Sequence, residues 1–270
     1  MTRLHASLGI LLTACASTPA APVESFLGEE PLGASEVSGI TVDHLGTRFL
    51  LTRDGRVEAR IDGIWEERFV APPGEYHDIA HVRDSRFAIT TTNAGLGLDL
   101  ENRLLQPYFC YVPVAEVVED PRPVVDVPTE EVAYAVTYDA RRDLLVAQPQ
   151  TREVESGRPV FSELALFRAF DGEEQLFRNL NDADFAAEGI VVITHGLEEL
   201  ELLLGEGTTL HVSTMPDVTR RRALDLASLG VREIRGLAVD PIEDVLLVAD
   251  QRGDEAYLVS LDLSAVLEAL

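Results

Sequence analysis

Lysine is absent from this 270-residue chain: all 22 basic residues are arginine, set against 47 carboxylates, and the formal charge is −25. Without a lysine amine there is no Schiff-base catalysis and no phosphate loop ending in Gly-Lys-Ser/Thr. The negative charge repels phosphate backbones, which makes nucleic acid a poor partner. Arg220, Arg221 and Arg222 form one basic run. A run of three can clamp a phosphate or carboxylate, but an isolated triplet without interleaved aromatics reads first as a solvated loop.

Other chemistries are missing as well. No nucleophile elbow G-x-S-x-G occurs, and GLGLDL at 95–100 lacks the third glycine of a dinucleotide loop. His44, His77, His81, His195 and His211 show neither an H-E-x-x-H helix nor zinc-like pairing with cysteine. His77 and His81, four apart in a strand, would sit about 13 Å apart, too far for one ion. No cofactor signature is present, although hard oxygen ligands on so acidic a surface suit loose binding of Ca2+.

Only two cysteines occur, Cys15 and Cys110. The chain opens MTRLHASLGILLTAC: an arginine, an apolar run from Ala6 to Leu12 too short to span a bilayer, then small residues up to Cys15. Leu12-Thr13-Ala14-Cys15 resembles the lipobox of bacterial lipoproteins. The resemblance implies cleavage after Ala14 and a lipid on Cys15, hence an exported chain held to the membrane by an N-terminal anchor. Ala16 in place of aspartate is compatible with the outer membrane. The division expected is a signal peptide over 1–14, lipidated cysteine and an extended tether over 15–35, starting with STPAAP, and the folded domain over 36–270. Cys110, in PYFCYV, then lacks a partner and reads as a small buried hydrophobe in a strand.

What fills the rest is a repeat. GITVDHLGTRFLLT from Gly39, DIAHVRDSRFAITT from Asp78, AVTYDARRDLLVAQ from Ala135 and GLAVDPIEDVLLVA from Gly236 each pair an alternating strand, a polar turn and a continuous apolar run. A looser fifth copy begins at Gly189 with GIVVIT and resumes at TLHVST, with residues 195–208 read as an insertion forming an extra hairpin or short helix. The five starts lie 39, 57, 54 and 47 residues apart, a period suited to sheets of four strands. The fold expected is all-β: a β-propeller of four-stranded antiparallel sheets, five blades favoured over six, with an antiparallel sandwich as the rival. A sixth blade would hide in VPTEEV or between Glu198 and Ser228. Ring closure would come from residues near Phe26 pairing with the last copy. Val239-Asp240 and Val248-Ala249-Asp250 resemble the NHL and SMP-30 type of propeller.

In that topology the residue before each inner strand lies at the channel mouth, which selects Ser38, His77, Tyr134, Glu188 and Arg235 as candidate ligand contacts. Loops after the second strands add Thr52, Asn93, Gln148, Thr214 and Asp250. This polar, mixed set suits a small polar molecule or a peptide end, although loop ends are polar in any propeller. The leading expectation is a binding or scaffold protein of the cell envelope, for an envelope protein, a peptide or a small polar ligand. The alternative, implied by the SMP-30 resemblance, is a metal-dependent lactonase or hydrolase in which Glu188, Asn93 and Asp250 hold a divalent ion.

Overall fold

A computed structural model describes residues 18–70, 75–82, 86–92, 107–113, 132–152, 159–160, 163–168, 174–179, 187–193, 200–215 and 219–270. The described strands form five antiparallel sheets. Strand β1 (Phe26–Pro31) comes first in the chain but belongs to the last sheet. The first sheet is β2 (Val37–Val42), β3 (Arg48–Thr52), β4 (Arg56–Ile61) and β5 (Ile64–Val70), in that order. The second is β6 (Glu75–Val82), β7 (Arg86–Thr92) and β8 (Pro107–Pro113). The third pairs β9 (Val132–Asp139) with β10 (Leu144–Arg152), then β12 (Glu163–Arg168) and β13 (Glu174–Asn179), with a two-residue strand β11 (Pro159–Val160) on the end of β10. The fourth is β14 (Gly189–Val192), β15 (Leu200–Glu206), β16 (Thr209–Met215) and β17 (Thr219–Asp225). The fifth runs β18 (Ile234–Asp240), β19 (Val245–Arg252), β20 (Glu255–Asp262) and finally β1.

The innermost strands touch in a closed cycle: β2 on β6, β6 on β9, β9 on β14, β14 on β18, and β18 back on β2. This is the toroid of a propeller, and it excludes the sandwich. Second strands are buried on both faces, which is why their sequences are continuous apolar runs. In β19, Leu246 and Val248 pack toward the fourth sheet while Leu247 and Ala249 pack toward the first. In β3, Leu50 faces the last sheet and Phe49 and Leu51 face the second.

Side chains also latch three of the sheet junctions. Asp78 Oδ2 accepts the Val136 N–H at 2.9 Å, Gln148 Oε1 accepts Ala187 N–H at 2.6 Å, and Gln251 Oε1 accepts Val37 N–H at 3.2 Å. Each acceptor belongs to one sheet, and the donors lie within the innermost strand of the neighbouring sheet (Val136), just before it (Ala187) or at its first residue (Val37). Near the axis, glycines let backbones meet. A Cβ on Gly236 would lie 2.8 Å from Ile40 N and 2.9 Å from Gly39 Cα, so no side chain fits there.

Three expectations are revised. The fourth sheet carries no extra hairpin or helix over the described part of 195–208: β15 supplies its regular second strand, with Leu202, Leu203 and Leu204 fully buried, and TLHVST is the third strand. The folded body also takes in residues left to the tether by a boundary at 36. β1 closes the last sheet against β20, as the expected closure near Phe26 requires, and Pro19 to Ala21 are already bonded to Asp225. Finally, Arg220 to Arg222 lie in strand β17 rather than a loop. Residues 1–17, with Cys15, and VPTEEV up to Glu131 lie outside the described residues. Cys110 is in β8, paired with Ile89. The α-helix among the described residues, α1 (Leu263–Ala269), follows β20, its start capped by Asp262 accepting from Ala265 N–H. No helix among the described residues is long and apolar enough to cross a membrane.

Candidate ligand site

The inner strands share a defect at their starts. Register slips by one residue between Val37 and Gly39, between Tyr76 and Asp78, and between Ile234 and Gly236. The extra residues of these bulges are Ser38, His77 and Arg235. A bulge re-aims a side chain and frees it from the alternation of its strand. All three side chains line one cavity of about 300 Å3 at the mouth of the ring, joined by Glu188 from the start of β14.

Arg235 is the centre of the cavity's charge. Its Nη1 donates to Glu188 Oε2 at 2.6 Å and its Nη2 to Glu233 Oε1 at 2.7 Å. A second pair in the lining is looser: Arg53 Nε stands 3.6 Å from Glu36 Oε2, with both side chains more than half exposed. Gln251, Tyr76 and Ala187 complete the wall. Burial pushes the Glu188 carboxyl up from its ordinary range, while Arg235 opposes the shift. Burial, with help from the Arg53 charge, lowers the His77 pKa to about 4, so its imidazole is neutral at pH 7. Beneath them Asp78 is wholly buried, and desolvation raises its pKa well above the usual carboxylate value against two backbone N–H donors, from Val136 and Ile79.

Ser38, His77, Glu188 and Arg235 are therefore brought together as the spacing suggested. Gln148 and Asp250 are not among the cavity's lining. Gln148 is spent on its latch to Ala187. Asp250, fully buried, accepts from Arg232 N–H at 2.7 Å and Glu233 N–H at 2.9 Å through Oδ1, and pairs with Arg252 Nε at 2.6 Å through Oδ2. Both hold loops rather than offering polar atoms to a ligand. Thr52 is buried and bonded to Asp54 and Arg56, and Thr214 is buried in the third strand of its sheet. Tyr134 lies in β9, its side chain outside the described set, as is Asn93 altogether. Glu36, Arg53, Glu233 and Gln251 were not anticipated. One signal was available: Glu36 and Glu233 each stand two residues before a bulged position, Ser38 and Arg235.

Of the three expected ion ligands, Asn93 lies outside the described residues. Glu188 is committed to Arg235 and Asp250 to backbone, and among the described residues no group of three His, Cys, Asp or Glu is placed to hold an ion. A guanidinium in contact with the carboxylate is the wrong neighbour for a divalent cation.

No family model matches the chain, and no curated protein does. Similar solved structures include a gluconolactonase from Xanthomonas campestris, 14% identical over 83% of this chain and 72% of that one, with a TM-score of 0.52. A glutaminyl cyclase from Myxococcus xanthus is 13% identical over 88% and 95% of the two chains, with a TM-score of 0.54. A glucose dehydrogenase is 11% identical over 86% and 98%, at 0.52. At these identities the likeness is one of fold, and it is the propeller fold.

Proposed function

We propose that the chain is a lipid-anchored propeller of the cell envelope that binds a small zwitterionic ligand or a peptide end at the mouth of its ring. The observation that carries this reading is the charge arrangement of the 300 Å3 cavity: Arg235 fixed between Glu188 and Glu233, and beside it the loose Arg53 and Glu36 pair. An exposed ion pair at 3.6 Å is worth little, so opening it to admit a ligand costs little. A ligand with a cationic and an anionic end then meets one fixed and one adaptable pair, in a space of small-molecule size.

Calorimetric titration with free amino acids and dipeptides, beside neutral sugars as controls, tests the proposal. Saturable binding of a zwitterion that is lost in R53Q/E36Q supports it; binding of sugars alone, or of nothing, overturns it. The lactonase reading draws on the fold shared with a gluconolactonase. Lactone hydrolysis that stops with EDTA and returns with Ca2+ would favour it over binding alone.

A further inference from the structure

The run Arg220, Arg221 and Arg222 is unmatched elsewhere in the chain, and it lies in β17, the outermost strand of the fourth sheet. Val212 pairs with Arg222 and Ser213 with Arg220, so Arg221 is the extra residue of a bulge on this edge. Arg222 is exposed. The N-terminal segment meets the same strand. Asp225 N–H donates to Pro19 O and Ala21 N–H to Asp225 O, both at 2.8 Å, on the side of β17 away from β16.

Reach turns this coincidence into a constraint. Cys15 precedes Pro19 by four residues, a span of at most about 14 Å when fully extended. Arg222 precedes Asp225 by three residues, about 10 Å along the strand. A lipid on Cys15 therefore keeps the basic run within about 24 Å of the anchor, near enough for the body to lay this edge on the bilayer. In a chain of charge −25, a carboxylate-bearing edge at that place would be pushed off anionic headgroups, whereas arginines there are drawn to them.

We propose that the outer edge of the fourth sheet, strand β17, rests on an anionic phospholipid surface. The proposal rests on the lipid-anchor reading of Cys15. The cavity opens at the starts of the inner strands while β17 forms part of the outer wall, so the mouth faces along the bilayer rather than into it. A ligand then reaches the site from the aqueous side without leaving the membrane surface.

Hydrogen exchange read by mass spectrometry tests this on the full chain, expressed with its N-terminal segment and reconstituted in phosphatidylglycerol-containing or phosphatidylcholine vesicles. The expected result is exchange about tenfold slower across 219–225 on the anionic vesicles. The difference should vanish in R220Q/R221Q/R222Q, whose melting temperature stays at the wild-type value. Equal exchange on the two vesicles overturns the proposal, as does slowing centred on the exposed turns at Leu45 and Ile242. The same spectra report the mass of the Cys15 peptide. An unlipidated Cys15 sinks the anchor reading, while a lipidated chain without protection of β17 sinks the edge alone.

Discussion

The two ends of the innermost strands are built on opposite rules. At the end away from the cavity, three sheets close their turns with the same residue in the same way. Asp43 Oδ1 accepts from Leu45 and Thr47 N–H, Asp139 Oδ1 from Arg141 N–H, and Asp240 Oδ1 from Ile242 and Glu243 N–H. The turns even finish alike, with Asp143 and Asp244 both left-handed at φ near 57° and 56°, a conformation that aspartate tolerates. At the cavity end the equivalent residues are Ser38, His77, Glu188 and Arg235, no two the same. Repetition marks what the ring needs in order to fold. Divergence marks where the ring has been left free to specialise.

The sharpest way to break this contrast is to attack a residue that sits at the specialised end yet serves the fold. Asp250 to Ala removes a fully buried carboxylate and leaves two backbone N–H groups and Arg252 Nε without their acceptor, although Arg252 keeps Glu29 through Nη2. The expected loss is about 3–5 kcal/mol, read by denaturant unfolding; a loss under about 1 kcal/mol would return Asp250 to the ligand contacts. His77 comes next. Its folded pKa of about 4 lies below the ordinary 6.5, so the unfolded chain takes the proton first. Its contribution is therefore complete above pH 6.5 and drains away as pH falls toward 4, by about 3 kcal/mol at most. Asp78 and Glu188, both raised, bind protons in the fold and act in the opposite sense, restoring stability as pH falls through their raised values. H77N should consequently flatten the loss of stability between pH 6.5 and 4; an unchanged profile would show that the imidazole is not held neutral by burial.

Gly236 to Ala tests the ring's waist. Its new Cβ would enter the backbone of Gly39 and Ile40, and the forced shift should cost about 1–3 kcal/mol, seen as a lower unfolding midpoint with little change in slope. At the repeated end, D43A removes two turn hydrogen bonds for about 1 kcal/mol. Its melting temperature should fall by a few degrees while ligand titration is unaltered.

The difference between the two ends also explains what could be read from residues alone. Strand pairs beginning at Gly39, Asp78, Ala135 and Gly236 were legible because a doubly buried second strand must be apolar throughout, and because Asp43, Asp139 and Asp240 punctuate the turns. The fourth sheet misled for the same reason. Glu198, Glu199 and Glu201 interrupt the apolar signal just before Leu202, so TLHVST took the place of β15. At the mouth the positions were legible but the directions were not. Strand β19 runs on past Asp250 to Arg252, and alternation along it is why Gln251, and not Asp250, lies along the cavity. Nor does periodicity reveal the latch from Gln148 to Ala187, because its partners are 39 residues apart in sequence.

The smallest expected effect on stability carries the most information about function. Arg235 to Gln breaks ion pairs to Glu188 and Glu233, but the three side chains are each a quarter to a half exposed, and such pairs contribute about 0–1 kcal/mol. If the mouth is free of folding duties, R235Q should melt within a few degrees of wild type while zwitterion binding weakens at least about tenfold, since removing one partner of a charge-assisted contact costs more in the complex than in the free protein. The comparison with D250A is then direct: two charged residues fifteen positions apart, one whose loss weakens the ring and one whose loss empties it. Should R235Q instead destabilise the protein as strongly as D250A, the guanidinium would be a fourth latch between sheets, and the cavity around it a by-product of closing the ring.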